Sequence, residues 1–132
     1  MPRWRINVYH LAGDFCPIQE WYRAQDIEVK AEFDAALAIL RAESDWTDTK
    51  LFKALTRNHI GLGEIRFKLN GTPERRFRPV GIWPPLAECE FILLVGCEKV
   101  RGLYIPENAL TKALDYRRRF LEDGEGGIHE YI

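Results

Sequence analysis

The fold is decided by the stretch from Gly61 to Arg101, which contains GLGEIRFKLNG (61–71), RRFR (75–78) and CEFILLVGCEKVR (89–101). In the first segment apolar residues alternate with charged ones, a period of two that is typical of a half-buried strand. Asn70-Gly71 then supplies residues that tolerate a tight hairpin turn. The third segment is apolar without alternation, which favours a strand covered on both faces. We therefore predict three consecutive strands of one antiparallel sheet.

The polar face of this predicted sheet is basic. Alternation places Arg66 and Lys68 on the face opposite Ile65, Phe67 and Leu69. The second strand adds Arg76 and Arg78, with Lys99 and Arg101 following the third. A cluster of guanidinium groups on a rigid sheet suits phosphate recognition. An ordinary solvated strand face is also often basic, so the pattern alone leaves both interpretations open.

Length and composition favour one ordinary domain. The 132 residues, of which 46% are hydrophobic and 30% charged, can bury one core. The sequence has no apolar run long enough for a membrane span and no secretory signal pattern. Its three cysteines form no CxxC pair, which argues against a zinc site or a disulfide framework. We predict a cytoplasmic protein with one domain over residues 1–123 and a flexible or short-strand tail over 124–132.

The net charge of −1 hides a strong asymmetry along the chain. Residues 14–48 carry nine acidic and three basic side chains, whereas residues 49–101 carry ten basic and five acidic ones. Such a division can create a local field that the net charge does not reveal. Acidic solvent faces of helices would produce the same count.

The segments outside the three strands predict helices and one more strand. Trp4 to His10 alternates weakly and is predicted as the first strand. Helical patterns follow from Ile18 to about Ser44, as one or two helices, with Pro17 suited to a first helical position. A further helix is predicted over 48–56, and Pro106 is placed to open the last one. The predicted class is α+β, in the order β-α-α-β-β-β-α, with a mainly antiparallel sheet packed on helices.

These motifs, taken together, resemble the RelE/ParE superfamily of bacterial toxin–antitoxin toxins, and most closely its phage-derived, HigB-type branch. That branch has a Gly-Leu-x-Glu-Leu-Arg pattern, a Tyr-Arg-x-x-Tyr pattern, a leucine-rich strand, a basic pair and a proline that opens the last helix. The corresponding segments here are 61–66, 76–78, 92–99 and 106–109. The resemblance covers about residues 4–121.

The resemblance implies a RelE-like fold and an mRNA endonuclease that acts at the ribosome. A cognate antitoxin, often with a helix-turn-helix domain, would restrain it, and homo-oligomers are possible. The ribose 2′-hydroxyl would attack its own phosphate without a metal or other cofactor, which requires an acid, a base and cations. By motif position Arg66, Arg78, Lys99 and Tyr104 are implied as catalytic residues. The resemblance further implies three RNA-binding residues, Lys68, Arg76 and Arg101.

A non-catalytic alternative is a prophage-derived, RelE-like protein-binding module that has lost its RNase activity. Two departures from the family motivate this alternative. The sequence pI is near 6.3, whereas active members of the family are usually strongly basic, and Glu98 stands where the family pattern has a basic residue. The histidines His10, His59 and His129 suit solvated or partly buried positions better than general-base roles. A gyrase poison of the ParE type has no separate support in the residues.

Overall fold

A computed structural model describes residues 3–69, 71 and 75–131. Asn70 of the predicted hairpin turn lies outside these residues. The described part contains three α-helices, α1 (Pro17–Arg23), α2 (Ile27–Ala42) and α3 (Ala109–Leu121). Its strands are β1 (Arg5–His10), β2 (Phe52–Ala54), β3 (Leu62–Ile65), β4 (Phe67–Leu69), β5 (Arg75–Phe77), β6 (Val80–Ile82), β7 (Glu90–Val95), β8 (Glu98–Val100), β9 (Leu103–Ile105) and β10 (Gly127–Glu130).

The three predicted strands form an antiparallel meander, but each one bends and contributes to two sheets. The breaks fall at Arg66, at Arg78-Pro79 and at Gly96-Cys97. One sheet has the order β10-β1-β7-β6-β3-β2 and the other the order β4-β5-β8-β9. All strand pairs are antiparallel except β1 with β7, which is parallel. The prediction of an α+β fold with a mainly antiparallel sheet is confirmed.

The predicted element order β-α-α-β-β-β-α is wrong. The helix expected over 48–56 is replaced by a 3₁₀ turn, Trp46–Asp48, and by β2. Asp45 caps only that turn, since its Oδ1 accepts a hydrogen bond from the backbone N–H of Thr47 at 2.9 Å. Phe52 instead pairs with Ile65 as a strand at the sheet edge. Strand pairing therefore outweighs the weak helical pattern of this short segment.

Strand β7 lies at the centre of the larger sheet, between β1 and β6. As its unbroken apolar sequence predicts, it is covered on both faces. Phe91 and Leu93 belong to a core shared with α1 and α2, and Ile92 and Leu94 belong to a core shared with α3. The sheet is thus the middle layer between two helical layers. Helix α2 contributes the predicted apolar stripe, whose buried members are Val29, Phe33, Ala36, Leu37 and Leu40.

The segment predicted as a flexible or short-strand tail contains β10, which pairs antiparallel with β1. Beyond it, the Tyr131 hydroxyl donates a hydrogen bond to Asp34 of α2 at 2.6 Å, and Tyr22 of α1 donates to the same carboxylate at 2.8 Å. The end of the described chain is thereby fastened to both early helices. Within the described ranges, no helix combines the length and apolar character needed to cross a bilayer.

Candidate functional site

The bends of the meander gather basic side chains on one face of the smaller sheet. In the strand register Lys68 lies opposite Arg76, and Arg76 lies opposite Lys99. Paired residues in an antiparallel sheet point to the same side, so these three cations share a face. Arg66 and Arg78 occupy two of the bends beside them. Sequence alternation therefore predicted the composition of this face.

These side chains line a groove of about 560 Å³. Its charged lining residues, here called the basic groove, are Arg66, Arg76, Arg78, Lys99 and Arg101. An adjoining depression of about 470 Å³ shares three of these arginines and adds Lys68, Lys50 and Glu32. The structure thus brings all six sequence-predicted basic residues into one continuous surface. Tyr104, the seventh predicted residue, lies opposite Lys99 in the strand register, with the ammonium 5.0 Å from its ring centroid.

The acidic neighbour of Lys99 does not neutralise the basic groove. Glu98 lies on the opposite face of β8 and accepts two hydrogen bonds from Arg75, at 2.9 and 3.2 Å. Successive residues of a strand point to opposite faces, so Glu98 is directed away while Lys99 faces the groove. A second carboxylate, by contrast, contacts two arginines of the groove.

That carboxylate is Glu64, which is buried beneath the groove with 1% of its surface exposed. Its Oε1 accepts hydrogen bonds or ionic contacts from Arg66, at 3.1 Å from Nε and 3.0 Å from Nη2. Its Oε2 accepts a 2.6 Å hydrogen bond from the Tyr104 hydroxyl. The Nε of Arg78 lies 4.0 Å from Oε1. A single anion therefore links three of the four predicted catalytic side chains, Arg66, Arg78 and Tyr104.

Burial and the charge of Glu64 act together on the pKa of Tyr104 and against each other on the pKa of Arg78. Burial raises the pKa of Tyr104, and the hydrogen bond to Glu64 raises it further, so the phenol remains a proton donor at neutral pH. Burial lowers the pKa of Arg78, while the charge of Glu64 opposes that change. Among the described residues the Arg78 Nε has no hydrogen-bond acceptor. This N–H is itself buried, so it is an unsatisfied donor of the interior and does not face the groove.

Cys97 fixes the backbone next to Arg78. Its thiol donates a hydrogen bond to the Arg78 carbonyl at 2.8 Å, and the Arg78 N–H donates to the Cys97 carbonyl at 2.8 Å. Burial raises the pKa of Cys97 to about 12. The thiol is therefore a structural group and not a nucleophile at neutral pH.

We expect a thiol reagent such as DTNB at pH 8 to modify only Cys89 in the folded protein. Cys16 and Cys97 are buried and burial raises the pKa of both, whereas Cys89 is partly exposed. All three thiols should react in denaturant, which serves as the control. Rapid labelling of Cys97 in the folded protein, located by peptide mass analysis, would contradict this assignment.

Sequence reasoning missed the importance of Glu64. Alternation places Glu64 on the same strand face as Arg66, but no role was predicted for it. A carboxylate two residues before an arginine on the same strand face was the available signal. The partner Tyr104 is 40 residues away in the chain, so spacing alone could not reveal it.

Comparison of the chain with protein-family models, with curated proteins and with solved structures found no significant match.

Proposed function

We propose that the chain is the toxin of a toxin–antitoxin system, a RelE/HigB-like endoribonuclease that cleaves mRNA without a metal ion. The observation that carries the proposal is the basic groove, whose arginines Arg66 and Arg78 contact the carboxylate of the Glu64–Tyr104 hydrogen bond. The groove offers cations for a phosphodiester, and the pair beneath it offers groups that exchange protons. The resemblance of the sequence motifs to HigB-type toxins supports the same function.

The cations of the groove suit the charge that develops during RNA cleavage. Attack of a 2′-hydroxyl on the adjacent phosphorus forms a pentavalent phosphorane with additional negative charge. Fixed guanidinium groups stabilise such a species most when they are preorganised, as Arg66 is by Glu64. Arg78 lines the groove beside Arg66 and places a second positive charge there, although its Nε is buried. We assign charge stabilisation to these two arginines and to Lys99.

The Glu64–Tyr104 pair supports a proton relay for the attacking group. The Tyr104 oxygen would accept the 2′-hydroxyl proton while its own proton passes to Glu64, 2.6 Å away. As the new O–P bond forms, the P–O5′ bond breaks, and the leaving oxygen takes a proton from the Lys99 ammonium. Lys68, Arg76 and Arg101 would contact flanking phosphates. Ribosome-bound mRNA as substrate and a helix-turn-helix antitoxin as partner are parts of the proposal that rest on the family resemblance.

One observation favours the alternative of a non-catalytic binding module. Arg66 and Tyr104 both already bond to Glu64, so two predicted catalytic groups are engaged within the protein. A substrate would have to compete with the carboxylate for these donors. In the alternative, the network stabilises a surface that recognises a protein partner and leaves RNA intact.

We expect Arg66→Ala and Arg78→Ala each to abolish growth arrest and mRNA fragmentation after induced expression, because each removes a cation from the reacting phosphate. With purified protein, each change should slow RNA cleavage by about 10²–10³-fold. It should also reduce the salt dependence of RNA binding by about one charge. Arg23→Ala is the matched control, since Arg23 is paired with Glu20 at the protein surface outside the groove.

Ribosomes should be both included and omitted in the cleavage assay. If the wild-type protein cleaves RNA and both alanine variants cleave it equally well, the assignment of the basic groove as the active site is refuted. The binding module would be favoured if the folded protein cleaves no RNA with or without ribosomes and forms a stable complex with a protein partner.

A further inference from the structure

The hairpin formed by β8 and β9 extends the smaller sheet beyond the core. Its turn, Arg101-Gly102, has positive φ at both positions (53° and 80°), as a two-residue hairpin turn of type I′ requires. The sequence pattern placed Lys99 and Arg101 after the third strand and did not predict β9. In the sheet order β4-β5-β8-β9, the new strand is the terminal member. Among the described residues no strand pairs with its outer edge.

The two faces of the hairpin differ in chemistry. The pairs Val100–Leu103 and Glu98–Ile105 share one face, and the pair Lys99–Tyr104 occupies the other. The first face continues the side of the sheet that buries Phe67 and Phe77 against α1 and α2. The helices cover β4 and β5, and the same face of β8 and β9 extends past them.

Large aliphatic side chains are consequently left in solvent at the hairpin. Leu103 is 71% exposed, Ile105 52% and Val100 40%. A depression of about 620 Å³ is lined by Leu103 and Ile105 from one face and by Tyr104 from the other, with Arg101 at the turn and Glu107 beyond the end of β9. Because it contacts side chains of both faces, this depression runs along the free edge of β9. Exposed apolar edge strands are sites at which another chain can add a strand.

We propose that the outer edge of β9 binds an extended segment of a partner protein in which apolar and acidic residues alternate. A strand added to β9 would direct alternate side chains to the two faces of the sheet. Those on one face would cover Leu103 and Ile105. Those on the other would lie beside Tyr104, where the Lys99 ammonium is 5.0 Å from the ring centroid and Arg101 occupies the adjoining turn. Apolar residues match the first set and carboxylates match the second.

A second copy of the chain fits this edge poorly. Antiparallel pairing of two β9 strands about a two-fold axis would place both cationic faces on the same side of the joined sheet. Strand β9 of the second copy carries no carboxylate, so the joined face would gain further cations and no opposite charge. The alternating acidic segment supplies that opposite charge.

The test is a titration of the ¹⁵N-labelled full chain with a synthetic peptide of alternating glutamate and isoleucine or valine. We expect saturable binding with amide shifts concentrated at residues 98–105. The double substitution Leu103→Lys and Ile105→Lys should weaken binding by at least about tenfold. Leu86→Lys, at another half-exposed leucine outside the hairpin, should leave the affinity unchanged. No RNA is present, so the outcome is independent of the proposed nuclease activity.

Several outcomes would overturn the proposal. Equal binding of a peptide with lysine in place of glutamate would exclude the charge match, and equal binding of a scrambled peptide would exclude the alternation. Absence of saturable binding up to about 1 mM peptide would exclude the site. Concentration-dependent self-association that the double substitution abolishes would assign the edge to a second copy instead.

Discussion

Glu64→Gln is expected to destabilise the protein by about 2–4 kcal/mol, because it removes one partner of a buried ionic network. The amide can still accept the hydrogen bond of Tyr104, but it cannot neutralise Arg66 and Arg78. Arg66 is one-third exposed, so water compensates part of the loss, whereas the Arg78 side chain is only 13% exposed. Urea unfolding followed by circular dichroism measures the change. Glu88→Gln, at an exposed glutamate, is the control and should be neutral.

The same substitution should separate RNA binding from RNA cleavage if the proposed function is correct. Removing the carboxylate frees Arg66 for phosphate, so the affinity for RNA should be retained or increased. Cleavage should be slowed, because the Tyr104 proton loses its acceptor. The pKa of Tyr104, followed by NMR of ¹³C-labelled tyrosine, should fall toward its usual value but not reach it, since burial is the larger cause of its elevation.

An unchanged Tyr104 pKa in the Glu64→Gln protein would show that the hydrogen bond does not form in solution. Unchanged cleavage with a lowered pKa would remove Glu64 from the proposed relay and leave the arginines as the essential groups. A purely structural role of Glu64 would reduce binding and cleavage together, in proportion to the fraction of unfolded protein.

Gly81→Ala is expected to cost about 3 kcal/mol or more, at the upper end of the range for overpacked cores. A methyl group at this position would enter the space of the Ile92 backbone carbonyl and of the Phe91 ring. A ring can rotate away, but the carbonyl is part of the central strand and cannot. The site also adjoins the irregularity between Val80 and Gly81, where β6 shifts its register against β7.

Gly71→Ala is the matched control, since a methyl group there meets no atom of a described residue within 4 Å. Thermal unfolding of the two variants and the parent protein gives the comparison. Equal midpoints for Gly81→Ala and the parent would mean that β6 and β7 do not pair as described.

The sequence contained enough information to predict the meander, the central strand and the basic residues of the groove. Alternation is a local property, so Ile65 and Phe67 identify the buried face without knowledge of the rest of the chain. The apolar run 91–95 similarly identifies a strand covered on both sides. The helical stripe of α2 was predictable for the same reason, because its period lies within one element.

The sequence could not show where each long strand bends into a second sheet. Arg66 interrupts a perfect alternation, and nothing in the local pattern distinguishes a bent strand from a straight one. The strand β2 depends on pairing with β3, and β9 depends on a turn whose first residue, Arg101, has an uncommon positive φ. The candidate site predicted from the sequence lacked Glu64 for a related reason. Glu64 and Tyr104 are 40 residues apart, and the β9 hairpin brings them into contact.

The position of β1 has a consequence for the order in which the chain folds. This strand pairs only with β7 and β10 among the described strands, and both are distant in sequence. Pairing of this kind must overcome a large loop-closure entropy before it gains any contact, which slows folding. The meander, built from neighbouring segments, can form first. Until β1 and β10 join it, the apolar edge of β7 is open to other chains, so the newly made protein passes through a stage prone to aggregation.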